Sequence, residues 1–591
     1  MENRPDNSII EMRAINSLES GLFRCHKIRP NIASNDKTPS WDGDIEVYKS
    51  NVFSKDNLLG TVSVQVKGKW VDELPISTTV KFQVSVADLN NYLKSNGVVF
   101  FVIHCNDDGG KVYYKSLMPV DIYMLLKDNP PLISSKSIEL QEFPSDDSEV
   151  VYGIFNDFIY HSSRQAQLDK EAIDKFTKLG MDSVASKFSF GFGALPTSSE
   201  EKRIRYMLDH ETYIYAKPND FDVDVALGKM SVATIGMQRT VPITVNGEVL
   251  YKEITKLYSS DGSISVKIGD NITFSEGKKK FSFVYSSKLS ERIRDLKFVV
   301  GLLEDNKNLD ETEIVLHQDN GDGLSYKELK NVLRFYLDLE AALKMMGCDK
   351  ELQIDGNNIK DLNKMKALVN AFIYDKPVPY SLNGEPGLGT LEFGNIKLLI
   401  FCIKDGKDFR FSNPYEMKDL VVKYELVDEG HTLMASPYFI ALTKERLTDV
   451  DNLDCEAIEE SIKKFRDGSD IYDQELNRYI LEVIGAYDIC KKQGLLEMAS
   501  RLQEILENTD PENIVYVINR AQIEKRKNSD ISKEDKKTLL RIKQTGDNNL
   551  ASLCCCILLE SFDEAELYFD ALSDEERESF ELFPIKNLWR R

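Results

Sequence analysis

The sequence has no long hydrophobic run and no paired cysteine motif. Its most apolar stretches, VVFFVIHC (98–105) and LASLCCCILL (550–559), are far too short to cross a bilayer. The beginning, MENRPDNSIIEMRAINSLES, lacks a basic segment followed by an apolar one, so we expect no secretory signal peptide. The nine cysteines form no C-x-x-C pair, which argues against a disulfide framework and a structural zinc site. These absences predict a cytoplasmic protein with reduced thiols and no membrane partner.

The charge of the sequence is distributed unevenly. The 591 residues have 42% hydrophobic content, which is typical of globular proteins, and a formal net charge of −22. Residues 1–120 hold 14 Lys and Arg against 14 Asp and Glu, so all of the excess acid lies beyond them. A protein that bound a phosphate backbone over its whole surface would not be so acidic. Any contact with nucleic acid is therefore expected in the neutral N-terminal segment.

The pattern of apolar residues predicts a multidomain chain with three regions. Residues 1–120 alternate as α-β-β-β-α-β-β, beginning with a helix over 7–24, and predict an α/β domain over residues 1–135. A polar tract, KSIELQEFPSDDSEV (136–150), is interpreted as a linker. Residues 151–445 predict a mixed, β-rich α+β region with central helices, and residues 446–591 predict an all-α region.

Polar residues on two predicted strands share one face. In WDGDIEV (41–47), Asp44 and Glu46 lie two apart; in TVSVQVKG (61–68), Gln65 and Lys67 do the same, while the valines between them face a core. Asp44, Gln65 and Lys67 are therefore expected on one common surface. Asp42, directly before a glycine, is interpreted as a turn residue.

This set of side chains suits metal-dependent hydrolysis of a phosphodiester. Asp44 would be the anionic ligand of Mg²⁺ (or Mn²⁺), with the Gln65 side-chain carbonyl and the Val66 backbone carbonyl as neutral ligands. Glu11, on the first helix, would hold the metal directly or through water. Lys67 would orient the attacking water or stabilise the negative charge that develops on the phosphate.

The order of a helical Glu, GDIEV and VSVQVKG resembles the PD-(D/E)XK nuclease superfamily in its Q-x-K, Mrr-like variant. The E-x-x-A pattern at Glu11–Ala14 is similar to the first helix of that superfamily, and KVYYKSLMPVDIYMLL (111–126) to the last strand of a bacterial group with this core at the N-terminus. The resemblance covers roughly residues 7–130. Gln65 stands where the commonest motif has an acid.

The resemblance implies a restriction-endonuclease-like fold for residues 1–135 and a magnesium-dependent endonuclease, acting on DNA. Large bacterial chains of this kind resemble effectors of antiphage defence or restriction systems. The acidic remainder would then gate the site, mediate homo-oligomer formation, or receive a phage or host protein as trigger. The alternative is a catalytically inactive nuclease-like module that binds nucleic acid or protein without cutting.

Overall fold

The computed structural model describes residues 4–590, except 35–39, 128–129, 131–132, 166–167, 180–187, 194, 196, 198, 218–223, 276–279, 306–325, 381, 383–384, 418, 426–431 and 547. The chain divides into two compact units. The first comprises Met1–Val241 and Lys252–Phe281, and the second comprises Pro242–Tyr251 and Ser282–Arg591. None of the described helices is long and apolar enough to span a membrane. The division of the chain into three independent domains stays a prediction.

The first unit contains a sheet of seven described strands with helices packed against it. The strands are β1 (Ile28–Ile32), β2 (Gly43–Tyr48), β3 (Leu58–Trp70), β4 (Thr79–Ser85), β5 (Val98–Cys105), β6 (Gly110–Leu117) and β7 (Ser135–Glu142), and the helices are α1 (Asn7–Leu22), α2 (Val86–Lys94), α3 (Pro119–Leu126) and α4 (Ser148–Arg164). The spatial order is β1-β2-β3-β5-β6-β7-β4. Among these strands only β3 and β5 pair in parallel. The predicted N-terminal α/β region is thus confirmed.

Alternation along β3 explains how the helices are arranged around the sheet. Val62, Val64 and Val66 are buried on one face, in a core with residues of α1 and α4. On the opposite face, a second core joins Phe100 of β5 to Tyr92 of α2. Because residues two apart in a strand face the same side, Gln65 lies on the α2 face.

The linker predicted over 136–150 is wrong. Its first half forms β7, where Ile138 and Leu140 are buried and the backbone pairs with β4 along its whole length. Its second half begins α4, whose first backbone N–H groups are capped by the Asp147 carboxylate. The polar residues of the tract occupy the exposed positions of a strand, so composition alone did not distinguish the strand from a linker.

Further strands follow the sheet, with two helices between them. They are α5 (Lys170–Leu179), β8 (Phe188–Ser189), α6 (Glu200–Asp209), β9 (Thr212–Ala216), β10 (Val225–Met230), β11 (Thr234–Arg239), β12 (Ile243–Val245), β13 (Glu248–Tyr251), β14 (Ile254–Ser259), β15 (Ile264–Ile268), β16 (Ile272–Ser275) and β17 (Lys280–Phe283). They form sheets β10-β9-β8, β11-β14-β15-β16-β17 and β12-β13. A β-rich middle region is confirmed.

The second unit ends in a series of helices. Its further elements are α7 (Leu289–Asp305), α8 (Tyr326–Met345), α9 (Ile359–Phe372), β18 (Gly387–Phe393), β19 (Ile396–Asp405), β20 (Asp408–Ser412), β21 (Val422–Glu425), β22 (Thr432–Ala435), α10 (Pro437–Ala441), α11 (Lys444–Asp449), α12 (Cys455–Phe465), α13 (Asp470–Cys490), α14 (Gln493–Thr509), α15 (Ile514–Asn528), α16 (Lys533–Thr545), α17 (Asn549–Leu558), α18 (Phe562–Asp570) and α19 (Asp574–Leu582). The helical C-terminal region is confirmed.

Candidate metal-binding site beside strand β3

Asp42 extends the β2 ladder by one residue. Its backbone N–H donates to the Val64 carbonyl at 3.1 Å, and its own carbonyl accepts from the Ala33 N–H at 3.0 Å. One step further along, Asp44 lies opposite Ser63. The turn role predicted for Asp42 is therefore wrong, because neighbouring strands hold its backbone from both sides.

The Asp42 carboxylate meets β3 where the β2 ladder stops. Its Oδ2 accepts the Val66 N–H at 2.7 Å and also accepts from Gln65 Nε2. Gln65 is 2% exposed whereas Asp42 is partly exposed, so the junction is shielded from water on the Gln65 side and open on the Asp42 side. The N–H and C=O of a strand residue point to the same side of the strand, so the Val66 carbonyl also faces the side on which Asp42 lies.

Tyr92 contacts the end of the Gln65 amide that faces away from Asp42. Its hydroxyl donates to Gln65 Oε1 at 3.3 Å. Burial, and next the charges of Asp88 and Asp42, hold the pKa of Tyr92 well above its usual range, so the hydroxyl keeps its proton. The amide nitrogen therefore faces Asp42 and the amide oxygen faces Tyr92.

Helix α2 anchors the segment that carries Asp42. Ser40 donates from its hydroxyl to Asp88 at 2.7 Å and accepts from the Asn91 amide at 2.9 Å. Trp41 contacts the Tyr92 ring edge-on, with centroids 6.1 Å apart. The position of Asp42 thus depends on contacts with residues far along the sequence. In the local sequence, the one feature that could have pointed to Asp42 is the Ser-Trp-Asp tripeptide directly before the strand.

The register places Asp44, Gln65 and Lys67 on one face of the sheet, as the alternation predicts. Asp44 accepts from the Ser63 hydroxyl at 3.4 Å, and Lys67 is exposed. Glu46, one step further from the Asp42 junction, accepts from the Tyr48 hydroxyl at 2.7 Å. The described contacts therefore join Asp42, rather than Asp44, to Gln65.

Glu11 lies on a helix that runs close beside β3. A Cβ placed on Gly68 would be 3.0 Å from the Ile10 carbonyl oxygen and 3.1 Å from the Ala14 side chain. The helix backbone therefore passes within van der Waals distance of the residue after Lys67. The structure brings Asp42, Gln65 and Val66 into direct contact, whereas the helix of Glu11 covers the opposite face of β3, the face of Val66 and Gly68.

The oxygens at this junction fit a hard cation once the Gln65 amide turns its oxygen from Tyr92 toward Asp42. A carboxylate, a backbone carbonyl and a side-chain amide oxygen are the ligands that Mg²⁺ accepts, and Mg²⁺ usually binds only one or two carboxylates while keeping several waters. Within the described ranges, no group of three or more His, Cys, Asp and Glu residues is arranged to hold a metal ion. An ion here would therefore depend on the amide and backbone oxygens.

Comparisons of this chain with protein-family models, with curated proteins and with solved structures found no match. The resemblance over residues 7–130 stays a prediction, and the function that follows rests on side-chain geometry.

Proposed function

We propose that the N-terminal segment is a magnesium-dependent endonuclease that hydrolyses phosphodiester bonds, with DNA as its substrate. The observation that supports this best is the junction of the Asp42 carboxylate with Gln65 and Val66 at the edge of β3. Crowded polar groups of this kind stabilise a sheet poorly, but they suit a cation that binds a phosphate.

Asp42 takes the role of anionic ligand that the sequence pattern gives to Asp44. The Val66 carbonyl supplies a neutral oxygen, and Glu11 supplies a second carboxylate directly or through water. Gln65 supplies its oxygen after the amide rotates by half a turn. Tyr92 permits this rotation, because its hydroxyl can accept from Nε2 as readily as it donates to Oε1.

Bound Mg²⁺ or Mn²⁺ would lower the pKa of a coordinated water and neutralise charge on the phosphate. The chain itself provides Lys67, whose side chain is exposed on the same face of the sheet as Gln65. Its ammonium group would hold a phosphate oxygen or orient the water. The balanced charge of residues 1–120 would allow a DNA backbone to approach this face.

The remainder of the chain would restrain the nuclease, as in an effector of antiphage defence or restriction. Its excess of acidic residues would repel DNA until a phage or host protein, or self-association, exposes the site. This part of the proposal rests on charge distribution.

Two matched variants test the site. Asp42→Asn and Asp44→Asn each remove one charge from the same strand face, two residues apart. Plasmid DNA and single-stranded RNA would be incubated with each protein plus Mg²⁺, Mn²⁺ or EDTA. We expect metal-dependent DNA cleavage by the wild type and by Asp44→Asn, and none by Asp42→Asn. Cleavage by Asp42→Asn but not by Asp44→Asn would show that Asp44 is the ligand. Cleavage of RNA but not of DNA would show that RNA is the substrate.

A binding module without catalysis is the second candidate. It is favoured by the Gln65 amide, which satisfies Asp42 through a hydrogen bond without any cation. Electrophoretic mobility shifts of the same plasmid fragments in EDTA, with no cleavage in either metal, would establish this alternative.

A further inference from the structure

A cavity lies in the first unit, lined by residues outside the Asp42 junction. It has a volume of about 290 Å³. It lies where β6 and β7 separate, since these strands pair only at Tyr113 with Glu142 and at Tyr114 with Gln141. Residues of α4, α6, β9 and β10 complete its walls. A wider depression of about 800 Å³ adjoins it and shares Tyr114, Tyr206 and His210 with it.

His161 presents a buried hydrogen-bond donor at this cavity. It is 3% exposed, and its Nδ1 lies 2.8 Å from the Tyr215 hydroxyl. That hydroxyl accepts from Gln165 at 3.4 Å, so its own proton is available to Nδ1, and the imidazole proton then resides on Nε2. Nε2 is buried and has no hydrogen-bond partner among the described residues. Burial, and next Arg164 and Lys229, lower the pKa of His161 to about 3, so the ring is neutral.

Lys115 presents a cation at the same cavity. Burial, and next the charge of Lys229, lower the pKa of Lys115. The two lysines differ in their partners: Lys229 contacts Asp121 at 3.2 Å and Glu211 at 3.6 Å. Within the part of the chain that the structure describes, Lys115 forms no ion pair. Lys115 therefore has no described counter-ion at ion-pair distance, and the charges of Asp121, Glu211 and Glu139 act on it from further away.

Aromatic rings, the partly buried Asp157 and three solvent-exposed carboxylates form the remaining walls; the exposed ones are Glu139, Asp209 and Glu211. Asp157 accepts from the Tyr206 hydroxyl at 2.5 Å and from the Gly193 N–H. Burial raises the pKa of Asp157 to about 7, so this carboxyl is largely without charge in mildly acidic solution. The Tyr206 ring stacks on His210 with centroids 4.1 Å apart, and Phe158 lines the same space. These walls suit a planar ring.

We propose that this cavity binds a small aromatic carboxylate, whose carboxylate accepts from His161 Nε2 and Lys115 Nζ while its ring packs against the tyrosines. The volume is near the lower end for small-molecule sites, which limits the ligand to one or two rings. Lys115 can match one negative charge, and the exposed carboxylates Glu139, Asp209 and Glu211 in the lining would repel a multiply charged phosphate more strongly. The proposal is independent of the proposed nuclease activity.

Calorimetric titration of the full chain with chosen probes tests the proposal. The probes are benzoate, 4-hydroxybenzoate and nicotinate, each paired with the corresponding amide, benzamide, 4-hydroxybenzamide or nicotinamide. The amides keep the ring and remove the charge. We expect at least one carboxylate to bind at millimolar concentration or below, and its amide to bind about tenfold or more weakly. Inorganic phosphate, tested alongside, should bind more weakly than the best carboxylate.

Lys115→Met identifies the site, because Lys115 is partly exposed and its replacement should not prevent folding. We expect this variant to lose about tenfold or more in affinity for the carboxylate, and His161→Gln to act in the same direction. Lys94→Met, at an exposed position of α2 outside the cavity, is the matched control and should bind as the wild type does. Failure of every carboxylate to bind, equal binding of the amides, stronger binding of phosphate, or unchanged binding by Lys115→Met would each overturn the proposal.

Discussion

Replacing Gln65 by Glu perturbs the Asp42 junction at almost constant side-chain volume. In the wild type, Gln65 Nε2 donates to Asp42 in a site where Gln65 is 2% exposed. The variant places a second carboxyl group against the Asp42 carboxylate. Two negative charges about 4 Å apart repel by about 4 kcal/mol at an effective dielectric constant of about 20. Without a cation, the introduced carboxyl is expected to take up a proton and donate to Asp42.

The cost of that protonation sets the magnitude. A glutamate has an ordinary pKa of about 4.3, so holding it protonated at about pH 7 costs about 4 kcal/mol, and at about pH 5 about 1 kcal/mol. The folded-state pKa is raised above the unfolded value, so the penalty is absent at low pH and grows as the pH rises. In EDTA at neutral pH, we expect Gln65→Glu to be less stable to unfolding than the wild type. At about pH 5 the two proteins should have nearly the same stability.

A divalent cation should reverse this loss. Mg²⁺ between two carboxylates would replace the shared proton, and a ligand at one hundred times its dissociation constant stabilises by about 2.7 kcal/mol. Thermal unfolding in EDTA and in Mg²⁺, at neutral and acidic pH, measures both effects. We expect the Mg²⁺-induced rise in unfolding temperature to be larger in the variant than in the wild type.

Two controls make the result specific to the junction. Gln83→Glu adds the same charge at an exposed position of β4 and should change neither stability nor the response to Mg²⁺. The double variant Asp42→Asn with Gln65→Glu reverses donor and acceptor, and should recover most of the stability in EDTA. A Gln65→Glu protein as stable as the wild type at neutral pH in EDTA, with the same response to Mg²⁺, would refute the proposed geometry.

Three further outcomes are expected. Lys67→Met should reduce DNA cleavage by about a hundredfold or more without lowering the unfolding temperature, whereas Lys69→Met, further along the same strand, should retain activity; equal losses would argue against a specific role. Tyr92→Phe should cost about 1 kcal/mol of stability and raise the metal concentration needed for cleavage. An unchanged metal dependence would show that Tyr92 does not affect the metal site through Gln65. Because burial raises the pKa of Asp157 to about 7, its contribution to stability is full at low pH and is lost as the pH rises. Between about pH 5 and about pH 8, the wild type should therefore lose about 3 kcal/mol relative to Asp157→Asn in urea unfolding, and parallel pH profiles would exclude a raised pKa.

Local periodicity in the sequence was sufficient to predict part of the candidate site. Val62, Val64 and Val66 alternate with polar residues, and the two-residue period of a strand alone puts Gln65 and Lys67 on one face. A continuous apolar run predicted β5, whose residues are all buried, and the helical period predicted α1. These features are decided within a few residues of sequence, because backbone geometry fixes where successive side chains point.

The choice between Asp42 and Asp44 depended on tertiary structure. Both lie on the same face of their strand, two residues apart, so periodicity cannot separate them. What separates them is the point at which β2 stops pairing with β3, together with the anchoring of Ser40 and Trp41 by α2.

The cavity at His161 also depends on contacts between residues that are distant in the sequence. His161 and Tyr215 are 54 residues apart, and the donor on Nε2 exists only because Tyr215 occupies Nδ1. Strand β7 was likewise mistaken for a linker, because its burial depends on the distant strand β4. Sequence determined which faces are polar, whereas the packing of distant segments decided which polar atoms meet, since hydrogen bonds require a separation near 3 Å that no local pattern encodes.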